Sequence, residues 1–201
     1  DFNRFKQRHS GIPLRNGIET NGKYQITHDV VKFSNKFFAL YEAWYASDSS
    51  GAERLYWLDA DTYFHSKLPT DFLESTLKQD VAVNYLGRDH LTKGKSIYAE
   101  TGCMAFNISH PDCAKFFEQL KEMYVSDTFL VEEQWHDAWL ITRVLERENI
   151  SRHSWSKGLQ TTHPFINVFW RWMDHKKGDR KDSRSGKHEV IVDTSGHPYW
   201  S

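Results

Sequence analysis

The apolar positions of the chain follow two different periods, one typical of helices and one of buried strands. From Phe33 onward the apolar residues recur with a helical period, and Ser34 is the expected N-cap of that helix. Three short apolar runs, RLYWL, DVAVNY and TGCMAFNI, have the length and composition of buried strands. These patterns predict a helix followed by three strands.

Two longer helices are predicted in the second half of the chain. One opens at Ser109-His110-Pro111, where proline suits the first turn. Its inner side carries Phe116, Phe117, Leu120, Met123 and Tyr124. The other helix is predicted over Glu133–Arg147. Since strands and helices alternate, the sequence indicates an α/β layered fold.

The remaining segments give weaker patterns. Residues 1–30 are polar and punctuated by glycine, which predicts irregular structure with one short strand. Asp71 and Glu74 resemble a capping box for a short helix over Phe72–Lys78. A last strand is expected in HEVIVD, near the end of the chain. Residues 1–201 are expected to form a single domain.

Composition narrows the classes of function. A chain of 201 residues with 26% charged and 15% aromatic residues is neither disordered nor fibrous. A net charge of −1 gives no reason to expect nucleic acid as a partner. The apolar runs are too short for a transmembrane segment. Two cysteines make no disulfide framework, which favours a reducing, cytoplasmic location. Because the chain opens at Asp1, we expect an N-terminally truncated fragment.

Two aspartates, Asp59 and Asp61, directly follow the predicted strand RLYWL. A turn after the strand would explain one of them. If the extended conformation continues, residues two apart point to the same face, and two carboxylates share one small volume. Such a pair is costly unless a cation neutralises it, and Mg²⁺ or Mn²⁺ prefers oxygen ligands. The carboxyl end of a strand is also where α/β sheets bind ligands.

A phosphatase with an aspartate nucleophile is a second interpretation of the same pair, because such enzymes also carry D-x-D after a strand. Their pattern has Thr or Val two residues after the second aspartate. Here Thr62 comes one position too early and Tyr63 stands in its place. The metal-site interpretation is therefore preferred, and the phosphatase is kept as an alternative.

The stretch YWLDADTYF, preceded by an amphipathic helix with a basic residue, resembles the D-x-D region of GT-A fold glycosyltransferases. A second, distant match strengthens the resemblance. In HKKGDRK, the residues His175, Gly178 and Lys181 have the spacing H-x-x-G-x-x-K. This is similar to the C-terminal motif of glycosyltransferase family 8, whose members retain anomeric configuration. The family's Pro-Trp after the lysine is replaced by Asp182-Ser183.

The two motifs together imply a metal centre and a phosphate site. Asp59, Asp61 and His175 would hold Mn²⁺ or Mg²⁺ and leave coordination positions free for a nucleotide diphosphate. Gly178 would allow the backbone to approach the phosphate closely, and Lys181 would supply a positive charge to it. The resemblance also implies a Rossmann-like mixed sheet flanked by helices. Part of its N-terminal nucleotide-binding half is expected to be absent.

The resemblance implies roles for residues elsewhere in the chain. Lys36, with Lys32 as the second candidate, would reach the sugar nucleotide from the helix before D-x-D. Glu100 would bind hydroxyls of the donor or the acceptor. Asp137 would lie closest to the reacting carbon, with His136 as a further candidate.

The expected activity is metal-dependent transfer of a sugar from a nucleotide diphosphate-sugar to an acceptor hydroxyl, with retention. A UDP-sugar is the favoured donor, and the acceptor is a glycan, lipid or protein. The segment Gly87–Lys95 is a candidate lid. Besides the phosphatase or pyrophosphohydrolase, an inactive GT-A relative that binds a sugar or nucleotide remains an alternative.

Overall fold

A computed structural model describes residues 1–87, 98–156, 168–169 and 171–175. The predicted lid from residue 88, the strand HEVIVD, and both Gly178 and Lys181 lie outside the described residues. Within the described part the chain is mixed α/β, as the alternation of strands and helices predicts. By its internal contacts it divides into two compact units.

Five helices and six strands have both of their ends within the described residues. The helices are α1 (Phe2–His9), α2 (Val30–Ser49), α3 (Thr70–Thr76), α4 (Pro111–Val125) and α5 (Asp137–Arg147). The strands are β1 (Arg54–Leu58), β2 (Thr62–Phe64), β3 (Val83–Leu86), β4 (Glu100–Asn107), β5 (Arg152–Ser154) and β6 (Met173–His175). Three short 3₁₀ turns cover Pro13–Asn16, Ile26–His28 and Thr128–Val131.

The first unit, residues 1–55 and 106–151, is helical and is built around aromatic side chains. The ring of Phe37 on α2 stacks on Tyr124 of α4, with centroids 4.5 Å apart. Trp44 stacks on Phe117 in the same way, at 4.9 Å. All five apolar residues predicted for the inner side of α4 are buried, which confirms that prediction.

The second unit, residues 56–105 and 152–201, contains the strands. One sheet has the order β1-β4-β3-β5, in which β3 and β5 are parallel, and β2 pairs with β6 in a separate antiparallel ribbon. Its core contains Phe72, Leu86, Cys103, Ala105, Trp155, Val168, Phe169 and Met173. The Trp155 indole also donates a hydrogen bond to the carbonyl of Thr76 at 2.9 Å.

Several helix starts differ from the sequence prediction. Asp29, and not Ser34, caps α2, since its side chain accepts a hydrogen bond from the Lys32 amide. Ser34 lies inside the helix and donates to the carbonyl of Val31. No capping-box bond forms at α3, whose N-cap is Pro69.

The ends of the described helices show two more differences. The helix predicted over Glu133–Arg147 begins only at Asp137. Residues 2–9, expected to be irregular, form α1, which buries Phe5 and His9 on one side. Because only two residues of α1 are buried, the helix has too few inward positions to produce a detectable apolar period in the sequence. Among the described residues, no helix has both the length and the apolar character needed to cross a membrane.

Candidate functional site

The two aspartates lie in a turn at the end of β1. The Asp59 amide donates to the carbonyl of Gly102 at 3.0 Å, which extends the contact with β4 by one residue. The Thr62 amide then donates to the carbonyl of Asp59 at 2.9 Å and closes a β-turn. The chain is therefore not extended through Asp61, and the turn interpretation describes the backbone here. The turn itself gathers the two carboxylates, so a turn and a shared ligand site are compatible at these residues.

His175 reaches this turn from far along the sequence. In the antiparallel ribbon, Thr62 of β2 lies opposite His175 of β6. The imidazole Nε2 is 2.8 Å from Asp61 Oδ1 and 3.7 Å from Asp59 Oδ2. The His175 side chain is only 4% exposed, whereas both aspartates are partly open to solvent. The structure thus brings together the three residues that the sequence predicts as metal ligands.

The Asp59 carboxylate is held by a neighbouring indole. Trp57 Nε1 donates to Asp59 Oδ1 at 2.8 Å. This leaves Oδ2 as the oxygen nearest to His175. Because residues two apart in a strand point to the same face, Trp57 near the end of β1 is well placed for this contact. The sequence pattern around Trp57 gives no indication of this role.

The donor set fits a divalent cation. Two atoms that bind one Mg²⁺ ion lie about 2.9 to 4.2 Å apart, since each is about 2.1 Å from the ion. The distances of 2.8 and 3.7 Å from His175 Nε2 to the two carboxylates are close to that range. Two carboxylates and an imidazole are oxygen and nitrogen ligands that suit Mn²⁺. The residues present are therefore suitable for the predicted cation.

Glu100 lies on the other side of the imidazole. It is the first residue of β4, and its Oε1 is 3.5 Å from His175 Nδ1, with both side chains 4% exposed. The same oxygen accepts a hydrogen bond from the Gly102 amide at 3.2 Å. Gly102 lies inside β4, within the predicted strand TGCMAFNI. A glycine within a strand often marks a close approach, and that signal could have identified this contact.

Lys36 and Asp137 meet in the first unit. Lys36 Nζ on α2 is 2.9 Å from Asp137 Oδ2 at the start of α5, and the side chains are 12% and 8% exposed. Burial, with a contribution from the charge of Asp137, raises the pKa of the Tyr124 hydroxyl well above its usual value. The two residues that the family resemblance assigns to the sugar nucleotide and the reacting carbon thus form a buried ion pair with each other.

The other two candidates of the first unit have local contacts. His136 is the N-cap of α5, because its Nδ1 accepts a hydrogen bond from the Trp139 amide at 3.3 Å. Its Nε2 lies 2.9 Å from Gln134 Oε1. The side chain of Lys32 is exposed, and its Nζ lies 5.7 Å from the centre of the Phe33 ring. In the structure, His136 thus caps a helix and Lys32 packs against its neighbouring ring.

The site and the fold define an α/β protein with a candidate cation centre made of two aspartates and a histidine. No model of a known protein family matches the sequence, and no curated protein matches it. The glycosyltransferase resemblance therefore depends on the two motifs and their order along the chain.

Proposed function

We propose that this protein is a metal-dependent glycosyltransferase that transfers a sugar from a nucleotide diphosphate-sugar to an acceptor hydroxyl. The observation that supports it is the contact between His175 and the turn that holds Asp59 and Asp61. The histidine belongs to the H-x-x-G-x-x-K motif and lies more than a hundred residues after the aspartates. A structural turn alone gives no reason for these two motifs to meet.

In this proposal each residue of the site has a defined task. Asp59 and Asp61 supply carboxylate oxygens to Mn²⁺ or Mg²⁺, and His175 supplies Nε2. Trp57 fixes the Asp59 carboxylate through its indole N–H. The bound cation would neutralise the negative charge that develops on the departing diphosphate. The partial exposure of both aspartates leaves the site accessible to a diphosphate from solvent.

The finer parts of the proposal follow from the family resemblance. They are a GT-A arrangement of the α/β fold, a UDP-sugar as donor and retention of configuration. The roles of Lys36, Asp137 and His136 at the donor sugar also belong to this resemblance. Lys181 and Gly178 are proposed to contact the diphosphate.

Turnover with a panel of UDP- and GDP-sugars in the presence of Mn²⁺ tests the proposal. We expect donor hydrolysis, or transfer when a suitable acceptor is added, and loss of both in the variant D59N/D61N. The variant D71N/D80N is the matched control, because it removes the same charge from two exposed aspartates of the second unit. It is expected to behave like the unchanged protein.

Other outcomes identify the alternatives. Cleavage of simple phosphate esters that depends on Asp59 would support the phosphatase interpretation. Binding of a UDP-sugar without turnover would support a recognition module. If D59N/D61N bound Mn²⁺ as tightly as the unchanged protein, the metal centre, and the proposal with it, would be wrong.

A further inference from the structure

Glu100 is a buried carboxylate that faces the candidate metal ligand His175 without belonging to the ligand set. Its Oε1 is 3.5 Å from Nδ1 of the imidazole, while Asp59 and Asp61 lie near Nε2. The two nitrogens point to opposite sides of the ring. Glu100 is therefore located behind the histidine with respect to the two aspartates, where it would not be a ligand of a cation held by them.

The Glu100 side chain is itself held in place. Its Oε1 accepts the Gly102 amide at 3.2 Å, so the carboxylate folds back along its own strand. With its side chain 4% exposed, it has little surface to offer to a sugar hydroxyl. A charged group buried to this extent is expensive unless other groups compensate it. The Gly102 amide does so by a hydrogen bond, and the imidazole lies at ion-pair distance.

Gly102 leaves the space that the His175 imidazole occupies. A Cβ at this position would lie 2.7 Å from His175 Cε1 and closer still to Nδ1. It would also lie 3.0 Å from Glu100 Oε1. Such approaches are too close for carbon atoms, so any larger residue would displace the ring. Gly102 thus lets the histidine pack directly against the backbone of β4, with Glu100 beside it.

A carboxylate on one side of an imidazole determines which nitrogen binds a cation. It favours the proton on the near nitrogen, and the lone pair of the far nitrogen is then available to a metal. Here the near nitrogen is Nδ1, which lies at ion-pair distance from Glu100 without a hydrogen bond, and the far nitrogen is Nε2. Asp61 Oδ1, 2.8 Å from Nε2, attracts the same proton when no cation is bound, so Glu100 determines the tautomer once a cation occupies the two aspartates. Glu100, His175 and a cation bound by Asp59 and Asp61 would then follow one another in the order carboxylate, imidazole, metal.

We propose that Glu100 is a positioning residue that fixes the orientation and tautomer of His175, so that Nε2 is presented to the cation held by Asp59 and Asp61. This inference depends on the proposed metal centre and gives Glu100 a role other than contact with substrate hydroxyls. The carboxylate acts through His175, and Gly102 makes their contact sterically possible.

Binding of Mn²⁺ to the full chain without any sugar nucleotide tests the proposal. Titration followed by the electron paramagnetic resonance of free Mn²⁺ gives the dissociation constant. Loss of a group that supports a metal ligand typically weakens binding about 10- to 100-fold. We expect E100Q to weaken Mn²⁺ binding by about 10-fold, because the amide can still accept the Gly102 N–H. E100A should weaken it by about 100-fold.

The coordination of His175 is measured separately. Electron spin echo modulation of the bound Mn²⁺ detects a coordinated imidazole nitrogen. We expect this nitrogen signal in the unchanged protein, its loss in H175A, and a reduced signal in E100Q and E100A. A change that only lowers stability would not remove the nitrogen from a fully loaded ion. E74Q removes an exposed carboxylate on α3 and is the control that should leave both quantities unchanged.

The outcomes separate this inference from the proposed function. Full nitrogen signal and unchanged affinity in both E100Q and E100A would overturn the role of Glu100 and leave the metal centre intact. If E100A fails to fold, E100Q alone decides the matter. If the unchanged protein itself does not bind Mn²⁺, the metal centre and the role of Glu100 are both wrong.

Discussion

Thr62 and His175 are opposite each other in the antiparallel ribbon of β2 and β6, and this pairing places the imidazole beside Asp61. The turn that ends at Thr62 is closed by the carbonyl of Asp59. One backbone arrangement therefore fixes all three candidate ligands. The site does not depend on long flexible side chains, and single substitutions should affect it in separable ways.

Replacement of His175 by alanine should weaken Mn²⁺ binding by at least about tenfold, because a lost ligand costs no less than a lost supporting group. The two aspartates stay in their turn, so residual weak binding is expected. Isothermal titration with Mn²⁺ measures the change. His65→Ala is the matched control, since His65 is an exposed histidine of the same unit. Equal Mn²⁺ affinities of the two variants would show that His175 is not a metal ligand.

Replacement of Gly102 by alanine should displace the imidazole, since the new Cβ would lie 2.7 Å from its Cε1. Overpacking of this kind destabilises a protein by about 1 to 3 kcal/mol. Chemical denaturation measures that loss, and the Mn²⁺ titration should show weaker binding in the protein that remains folded. Gly11→Ala serves as the control, because a Cβ there meets no atom within 4 Å. Unchanged Mn²⁺ affinity in the folded variant would show that His175 tolerates the displacement.

The sequence predicts which three residues meet better than it predicts the geometry that assembles them. The strand RLYWL has its predicted bounds, and Asp59, Asp61 and His175 meet as the motifs suggest. The sequence leaves open whether a turn or an extended chain holds the aspartates, because the D-x-D pattern is compatible with both. The role of Gly102 depends on an atom of β6, a strand that is distant in sequence. Contacts of that kind arise only from tertiary packing.

The starts of two helices also depend on tertiary packing and are not determined by the local sequence. Ser34 and Asp29 are both good N-cap residues, and the apolar period alone does not choose between them. The structure chooses Asp29 because Val30 and Val31 are also buried, which moves the start of α2 toward the N-terminus. His136 is an uncommon cap, so the start of α5 at Asp137 could not be read from standard preferences.

The buried pair of Lys36 and Asp137 should contribute to the stability of the helical unit. K36M leaves the carboxylate buried without that ammonium group, and D137L leaves the ammonium buried without that carboxylate. Removal of one partner from a buried ion pair typically costs about 3 to 5 kcal/mol. We expect the double variant K36M/D137L to recover part of the loss, and free energies of unfolding for the four proteins give the coupling between the two residues.

A lysine outside the pair provides the control for this cycle. Lys32 lies one turn earlier on α2, with an exposed side chain. K32M should therefore change the free energy of unfolding by less than about 1 kcal/mol. If K36M were as mild as K32M, the ion pair would have no net stabilising effect, and the functional interpretation of Lys36 would gain weight.

The stability of the protein should fall on acidification because of His9. Its ring is fully buried, Nε2 lies 2.9 Å from Asp127 Oδ1, and Arg15 donates to Nδ1. Since arginine has no acceptor, that contact requires a neutral imidazole with a lone pair on Nδ1. Burial is the largest cause that lowers the pKa of His9 below its ordinary 6.5, and the charges of Arg15 and Arg8 lower it further against the opposing effect of Asp127.

A lowered pKa in the folded state means that the unfolded chain takes up a proton first as the pH falls. The contribution of His9 is therefore fully present above about pH 6.5 and is lost as the pH drops below that value toward the folded pKa. The variant His9→Gln should show a smaller loss of unfolding free energy between about pH 7 and pH 5 than the unchanged protein. Urea denaturation at several pH values measures, for each protein, the slope of the unfolding free energy against pH. His65→Gln, which removes an exposed histidine, should keep the original slope. If His9→Gln kept it as well, protonation of His9 would not contribute to acid sensitivity.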